Sequence, residues 1–234
     1  MDGIIFVVFG AQFELMAIKT IAYSRRFTNL PFHILTDLKE ILPGWKDIPN
    51  ITFQVFDPIH NRQIKTTMID HSPFDRTLYI DCDAIIAKPD VEGIIKLLDD
   101  HDILLVQYGT YTQNMPMMND YKITFRKNVI KYPINIYYGA FIGFNKTEKS
   151  KLFFNEWNKA WITAGTPREM PALACAAQNT TDLKIKIIQC KHSQHSPNET
   201  ESLFAWHTNT NAIIQHEYGS GWWKKYHPEV GLNR

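Results

Sequence analysis

Long apolar runs, paired cysteines and an excess of charge of one sign are all missing from this sequence. No apolar run reaches the roughly 18 residues that indicate a transmembrane helix, and no basic segment with a cleavage site precedes the first apolar run. The three cysteines, Cys82, Cys175 and Cys190, are scattered and odd in number, so no disulfide framework is expected. These absences predict a cytoplasmic protein with no transmembrane segment.

The charge balance and the length indicate which partners and how many domains to expect. The 234 residues carry a net charge of +1, which gives no electrostatic reason to expect a nucleic acid as partner. With 44% hydrophobic residues, the chain is long enough to bury one sizeable core. We therefore predict a single domain over residues 1–234.

Short apolar runs alternate with helical periodicity in the first half of the chain. This alternation predicts an α/β fold with a mostly parallel central sheet flanked by helices, and ligands at the carboxyl ends of the strands. Residues 108–133 are expected to form a long surface excursion. The predicted strands cover residues 4–9, 32–35, 51–56, 77–80, 102–106, 138–144 and 184–188. The predicted helices cover residues 12–26, with Leu15, Ile18, Ile21 and Ala22 on the apolar face, and residues 61–70, 91–98, 149–161 and 167–178.

Two carboxylates follow one of these apolar strands. Asp81 and Asp83 flank Cys82 between two apolar runs. Residues i and i+2 of an extended segment point the same way, so both acids are expected to face one ligand. Hard oxygen donors placed this way suit Mg²⁺ or Mn²⁺ carrying a diphosphate. The tripeptide alone is weak, because chance supplies about one Asp-x-Asp per few hundred residues.

A segment far downstream offers a third ligand. An imidazole from His216, added to two carboxylates, favours Mn²⁺ over Mg²⁺ because nitrogen is the softer donor. Gly219 would let the backbone approach a phosphate closely, and Lys224 or Lys225 would neutralise the phosphate charge. A surface turn with unrelated charges is the alternative interpretation of this segment.

Arg62 and Lys65 lie on the predicted helix before the acid-bearing strand. Their spacing of three residues puts them on one helix face, where they can hold a diphosphate, and a solvated helix surface is the alternative. Cys190, His192 and His195 also suggest a metal site. Their spacing is not a recognised four-ligand zinc pattern, so we expect a polar loop there.

Together these motifs resemble those of the GT-A glycosyltransferases, and most closely the group around glycogenin and the bacterial lipopolysaccharide galactosyltransferases. The resemblance covers residues 4–225, and its specific parts are the acids in their strand and the late His-Gly-Lys segment. It implies a GT-A (Rossmann-like) fold with a nucleotide-binding half, residues 1–107, and an acceptor and sugar half, residues 108–234. It also implies that Asp81, Asp83 and His216 hold the metal.

The resemblance implies roles for further residues. Phe13 stands where the family has an aromatic residue that stacks on the base. Glu169 falls beside the transferred sugar, where it is the candidate catalytic base of an inverting enzyme. A retaining enzyme needs no such base, and the resemblance favours a retaining enzyme. The residues expected to bind the donor are Phe9, Gly10, Ala11, Phe13, Arg62, Lys65, Asp81, Cys82, Asp83, Gly139, Gly219 and Lys224.

Two departures from the family lie where donor sugar and acceptor meet. Relatives usually carry an asparagine at the start of the strand that here contains Tyr137, Tyr138 and Gly139. They also carry an Asp-Gln pair where this sequence has Glu169 and Met170. These changes leave the sugar and the stereochemistry open, and they leave the nucleotide and metal half intact.

The resulting prediction is a metal-dependent glycosyltransferase, either a hexosyl- or a pentosyltransferase. It would move a sugar from a nucleotide diphosphate donor, with a UDP-sugar favoured, to a glycan, lipid-linked or protein acceptor, with Mn²⁺ or Mg²⁺ as cofactor. Two alternatives stay open. One is a metal-dependent nucleotidyltransferase or phosphohydrolase, and the other is a catalytically silent module that binds sugar nucleotides or glycans.

Overall fold

The computed structural model describes residues 1–57, 61–192, 204–206 and 212–216. The strands of this part of the chain are β1 (Asp2–Val8), β2 (Phe32–Thr36), β3 (Ile51–Val55), β4 (Arg76–Ile80), β5 (Ala84–Ile86), β6 (Ile103–Tyr111), β7 (Ile134–Asn145), β8 (Ile185–His192), β9 (Phe204–Trp206) and β10 (Ile214–His216). The helices are α1 (Ala11–Ser24), α2 (Asn61–Thr66), α3 (Met68–His71), α4 (Val91–Lys96), α5 (Asn119–Lys127), α6 (Glu148–Ala164) and α7 (Met170–Asn179).

The strands form one mixed sheet in the order β3-β2-β1-β4-β7-β6-β8-β9-β10-β5. Strand β7 runs antiparallel to both of its neighbours, β4 and β6, and β5 runs antiparallel to β10. Every other described pair of strands is parallel. This arrangement confirms the predicted mostly parallel sheet.

Helices cover both faces of the sheet. In β1, Ile4, Phe6 and Val8 face one core cluster and Ile5 faces the other, because successive residues of a strand point to opposite faces. Helices α1 and α4 pack on the first face, and α2, α3, α5, α6 and α7 pack on the second. Burial on both faces explains why the strands appear in the sequence as nearly continuous apolar runs.

The orientation of α1 differs from the prediction. Leu15 is 46% exposed and Ala22 is also exposed, whereas Glu14, Thr20 and Ser24 are buried. Each of these three polar side chains has a hydrogen-bond partner in the interior. Ile21 is buried and Ile18 packs against the core, so the predicted apolar face is confirmed at these two residues and wrong at Leu15 and Ala22.

Residues 108–133 are more ordered than predicted. Strand β6 continues to Tyr111, and α5 follows with Tyr121 and Phe125 buried in the core. The expected surface excursion is therefore wrong, because the aromatic residues of this segment supply the buried face of a helix. Strand β6 also crosses the predicted boundary between residues 107 and 108, and that division of the chain stays a prediction.

Candidate active site

The two acids of the Asp-x-Asp motif lie in a turn between β4 and β5. The Ala84 N–H donates a hydrogen bond of 2.9 Å to the Asp81 carbonyl oxygen, which closes a four-residue turn. The predicted extended backbone at this motif is therefore wrong, because the apolar residues on either side belong to two separate strands. The turn leaves both carboxylates partly open, with 26% of the Asp81 side chain and 27% of the Asp83 side chain exposed.

Strand β10 brings His216 to this turn. It pairs antiparallel with β5, and His216 lies opposite Ala84, the residue directly after the motif. The His216 Nε2 atom lies 3.0 Å from Asp83 Oδ1 and 4.0 Å from Asp81 Oδ2. One strand pairing thus brings together side chains that are 133 positions apart in the sequence.

Asp81, Asp83 and His216 can hold a metal ion. One ligand atom from each residue lies within 4.8 Å of the others. Adjacent ligand atoms of an octahedral ion, each about 2.1 Å from it, are about 3 Å apart. The atoms of His216 and Asp83 already have this separation. Two carboxylates and an imidazole are a donor set that binds divalent ions such as Mn²⁺ and Mg²⁺.

The carboxylate of Asp81 is fixed by neighbours on one side. Its Oδ1 atom accepts hydrogen bonds from the Tyr79 hydroxyl and from Lys65 Nζ, the latter at 3.0 Å. Burial raises the pKa of Tyr79 and the nearby Asp81 charge raises it further, so the phenol keeps its proton and donates it. With Oδ1 bound in this way, Oδ2 is the atom turned towards His216.

Lys65 is a buried cation between two carboxylates. Its Nζ atom lies 3.0 Å from Asp81 Oδ1 and 3.1 Å from Glu169 Oε1, and 5% of its side chain is exposed. Burial lowers the pKa of Lys65, but attraction to the two carboxylates outweighs burial, and the net pKa is raised. Lys65 is therefore charged at neutral pH and ties α2 to both acids.

Glu169, directly before α7, is the buried carboxylate of this network, with 1% of its side chain exposed. Its Oε1 atom faces Lys65, and its Oε2 atom accepts a hydrogen bond of 2.7 Å from Arg62 Nη1. The Trp157 indole N–H donates to the Glu169 carbonyl oxygen at 3.0 Å and anchors the backbone. The role of Glu169 as a catalytic base stays a prediction, and in this geometry both of its carboxylate oxygens already bind cations.

Gly139 lies against this ion pair. A Cβ atom at this position would come within 2.9 Å of Glu169 Oε1 and 3.3 Å of Lys65 Nζ. Gly139, Ala140 and Phe141 have no register partners on β6, so β7 separates from β6 at this point. The Ala140 carbonyl oxygen instead accepts the Asp81 N–H at 2.9 Å. The glycine predicted to bind the donor thus makes room for the buried charges.

The loop after β1 is the predicted nucleotide site. Gly10 has a φ of +86°, a conformation that glycine adopts without strain, and its N–H donates to Asp37 Oδ1 at 2.8 Å. Phe13, on the first turn of α1, is 41% exposed, whereas Phe9 is buried. The stacking of Phe13 on a base stays a prediction. Ala11 begins α1. Sequence reasoning missed Asp37, although an acid two residues after the end of a predicted strand could have indicated it.

Helix α1 also supports the acid-bearing turn. The buried Thr20 hydroxyl donates a hydrogen bond of 2.7 Å to the Cys82 carbonyl oxygen. Burial raises the pKa of the Cys82 thiol, and the charges of Asp83 and Asp81 raise it further, so the thiol stays protonated at neutral pH. Thr20 and Tyr79 are two positioning residues that no sequence motif indicated.

Some predicted residues cannot be placed. Gly219, Lys224, Lys225 and His195 lie outside the described residues. Cys190 and His192 belong to strand β8, where they pair with β9, so the polar loop expected at these two residues is wrong. In the described part of the chain, no helix is long and apolar enough to cross a membrane.

Solved glycosyltransferases share this fold. The galactosyltransferase LgtC in complex with donor and acceptor sugar analogs is 12% identical with a TM-score of 0.56, over 94% of this chain and 87% of that chain. An active-site mutant of LgtC is 12% identical with a TM-score of 0.55. The match covers 94% of this chain and 88% of the LgtC chain. The bifunctional glycosyltransferase WbbM, in its apo form, is 10% identical to this chain with a TM-score of 0.55. The match covers 92% of this chain and 45% of the WbbM chain. No protein-family model and no curated protein sequence matches the chain. The fold of this chain is therefore that of the GT-A glycosyltransferases, as its motifs predicted.

Proposed function

We propose that this protein is a metal-dependent glycosyltransferase. It would move a sugar from a nucleotide diphosphate donor, with a UDP-sugar favoured, to a glycan, lipid-linked or protein acceptor. The convergence of Asp81, Asp83 and His216 within 4.8 Å is the observation that carries the proposal. These residues lie at the carboxyl ends of the parallel strands, where α/β sheets bind their ligands. Mn²⁺ suits the donor set better than Mg²⁺, because one of the three ligands is nitrogen.

The leaving group dictates the chemistry that the site has to perform. When a sugar leaves a nucleotide diphosphate, negative charge builds on the phosphate oxygens. A divalent ion held by Asp81, Asp83 and His216 would stabilise that charge as a preorganised electrostatic partner. Phe13 would stack on the base, and the backbone of Gly10 and Ala11 would line the nucleotide. Lys224, from the family resemblance, would contact the diphosphate.

The buried network behind the metal residues favours the retaining mode of transfer. A general base has to reach the proton that it removes. Glu169 is 1% exposed, and Arg62 and Lys65 bind its two oxygens, so its carboxylate is engaged by the protein. In this proposal Glu169 keeps Arg62 and Lys65 oriented beside the donor. Transfer with retention, which needs no strong base on the acceptor, agrees with this arrangement.

The experiment is to incubate the protein with a panel of nucleotide sugars and Mn²⁺ and to measure nucleoside diphosphate release with and without EDTA. Metal-dependent release of the diphosphate, with UDP from UDP-sugars, is the expected result. Release of pyrophosphate or of a sugar phosphate would instead identify a nucleotidyltransferase or phosphohydrolase. Binding of the nucleotide sugar without turnover would identify a silent binding module.

Asp83→Ala tests the metal site itself. The Asp83 side chain is 27% exposed and contacts His216, so its loss should remove metal-dependent donor binding and leave the folded state intact. Calorimetric titration with UDP and Mn²⁺ measures the binding, and circular dichroism checks the fold. Asp57→Ala, at a carboxylate that is 97% exposed on the loop after β3, is the matched control and should bind as the unaltered protein does. Unchanged donor affinity in Asp83→Ala would refute the metal site.

A further inference from the structure

Tyr79 is a buried tyrosine in the middle of the sheet. On β4 it lies opposite Ile5 of β1 and Ile142 of β7, so a strand on each side holds its backbone. It is 2% exposed, and its side chain belongs to the core cluster on the face that α2 and α6 cover. A ring packed in this way presents its hydroxyl at a fixed point beside the acid-bearing turn.

The Tyr79 hydroxyl and the Lys65 ammonium bind the same oxygen atom of Asp81. Both donate a hydrogen bond to Asp81 Oδ1, and that of Lys65 Nζ is 3.0 Å long. Lys65 Nζ also lies 5.0 Å from the centroid of the Tyr79 ring and 3.1 Å from Glu169 Oε1. The two donors are therefore fixed relative to each other, and they occupy Oδ1 from the interior of the protein.

This arrangement leaves Asp81 one oxygen atom for a metal ion. The Oδ2 atom is the one turned towards His216, and it lies 4.0 Å from His216 Nε2. A second metal bond through Oδ1 would require the loss of a hydrogen bond from a fixed, buried donor, which is unfavourable. The surrounding residues therefore orient the Asp81 carboxylate as a monodentate ligand.

The number of oxygen atoms that a carboxylate offers affects which ion is preferred. Mg²⁺ binds six ligands in near-octahedral geometry at about 2.1 Å and uses few carboxylates, and Mn²⁺ also suits octahedral sites. Ca²⁺ takes about 6–8 oxygen ligands at about 2.3–2.6 Å and often binds both oxygens of a carboxylate. A monodentate Asp81 beside the nitrogen of His216 thus favours the smaller octahedral ions.

We propose that Tyr79, together with Lys65, makes the site selective for Mn²⁺ and Mg²⁺ over Ca²⁺ by restricting Asp81 to one metal-binding oxygen. Tyr79 acts through Asp81 and is a positioning residue. The inference rests on the proposed function for the presence of a divalent ion, and it adds the residue that sets the choice of ion. It does not depend on the identity of the sugar or of the acceptor.

The test compares the affinities of the full chain and of Tyr79→Phe for Mn²⁺ and Ca²⁺, with the metals alone as probes. Electron paramagnetic resonance of free Mn²⁺ gives the Mn²⁺ affinity, and displacement of Mn²⁺ by Ca²⁺ gives the Ca²⁺ affinity. Loss of a group that orients a metal ligand typically costs about 10–100-fold in affinity, so Tyr79→Phe should bind Mn²⁺ about tenfold more weakly. Its Ca²⁺ affinity should change by about threefold at most, because Ca²⁺ can use the oxygen that Tyr79 no longer holds.

Tyr121→Phe is the matched control. Tyr121 is 1% exposed and belongs to the same core cluster, and its hydroxyl has no hydrogen-bond partner among the described residues. This variant should keep both metal affinities of the unaltered protein. Thermal unfolding followed by circular dichroism checks that each variant is folded.

The ratio of the two affinities distinguishes selectivity from a purely structural role. Equal weakening of Mn²⁺ and Ca²⁺ binding in Tyr79→Phe would overturn the inference, and so would Ca²⁺ that displaces Mn²⁺ from neither protein. The unaltered protein should bind Mn²⁺ about tenfold or more tightly than Ca²⁺. Equal affinities there would overturn the inference even if Tyr79→Phe does not fold.

The outcomes also separate this inference from the proposed function. A protein that binds Mn²⁺ only together with UDP would overturn selectivity set by the side chains and leave the proposed function standing. Selective Mn²⁺ binding that depends on Tyr79, without release of a nucleoside diphosphate from any nucleotide sugar, would support the inference and refute transfer.

Discussion

Replacing Lys65 with methionine should destabilise the protein by about 3 kcal/mol. The substitution removes a buried cation and keeps the apolar volume of its side chain, so Glu169 loses the partner 3.1 Å from its Oε1 atom. Asp81, 26% exposed, loses a hydrogen bond but can be hydrated. The unpaired oxygen of the 1% exposed Glu169 is therefore the dominant cost.

The size of this cost follows from the geometry. Removing one partner of a buried ion pair costs about 3–5 kcal/mol, because the other charge is left without compensation. Arg62 still binds Glu169 Oε2 at 2.7 Å, which places the expected loss at the lower end of that range. For a chain of this length, about 3 kcal/mol corresponds to a fall in melting temperature of about 6–12 °C.

Urea unfolding followed by tryptophan fluorescence measures the free energy of unfolding. The control is Lys39→Met, since Lys39 Nζ lies 3.9 Å from an exposed carboxylate and its own side chain is 74% exposed. An exposed pair of this kind contributes little to stability, so no measurable loss is expected. A second variant, Glu169→Gln, and the double variant with Lys65→Met complete a double-mutant cycle.

The double variant should lose less than the sum of the two single losses, with a coupling of about 1 kcal/mol or more, because the two buried charges are removed together and the remaining Arg62, 37% exposed, can be hydrated. Additive losses would refute the reasoning. A loss below about 1 kcal/mol for Lys65→Met would refute it as well, since that is the range of an exposed pair.

Three further predictions concern other parts of the site and the sheet. Gly139→Ala places a methyl group 2.9 Å from Glu169 Oε1 and should lower the free energy of unfolding by about 1–3 kcal/mol in urea titrations. Asp37→Ala removes the acceptor of the Gly10 N–H and should weaken UDP binding in calorimetric titrations, whereas Asp37→Asn should restore it. Burial lowers the pKa values of His33 and His71. Their stabilising contribution is complete above about pH 6.5 and falls as the pH drops below it, which unfolding curves at several pH values would show.

Each of these predictions has its own control. Gly109→Ala meets its nearest atoms at 3.6 Å, so it should be tolerated, and an equal loss at Gly139 and Gly109 would contradict the close approach to Glu169. UDP binding that is indifferent to Asp37→Ala would show that the Gly10 loop does not bind the nucleotide. The free energy of unfolding should depend less strongly on pH in His33→Asn. An unchanged pH dependence would mean that His33 does not contribute.

The mostly parallel sheet could be predicted from local patterns, whereas the antiparallel direction of β7 could not. The apolar period and the helical segments between the strands indicated the parallel units around β1, β2 and β4. The direction of β7 leaves no trace in its residues, because an apolar strand buried on both faces looks the same in either orientation.

The candidate metal ligands were predictable by chemical type, and their surroundings were not. Asp81, Asp83 and His216 could be grouped because carboxylates and imidazole suit a divalent ion. Lys65 was expected at a surface or on a ligand, since lysine is almost never fully buried unless it is paired. Its partner Glu169 lies 104 positions away in sequence, and no short-range pattern links the two.

The charges of the site explain why metal and donor should bind together. Three carboxylates and two permanent cations surround the metal position, so the cluster has a net charge of −1 when His216 is counted as neutral. A diphosphate would be repelled by the two partly exposed acids at the turn. Adding a divalent ion changes the net charge to +1, which attracts a diphosphate. Each ligand therefore creates the electrostatic conditions for the other, and by linkage each should raise the affinity of the other by the same factor. The buried ion pairs keep the remaining charges fixed while this change takes place.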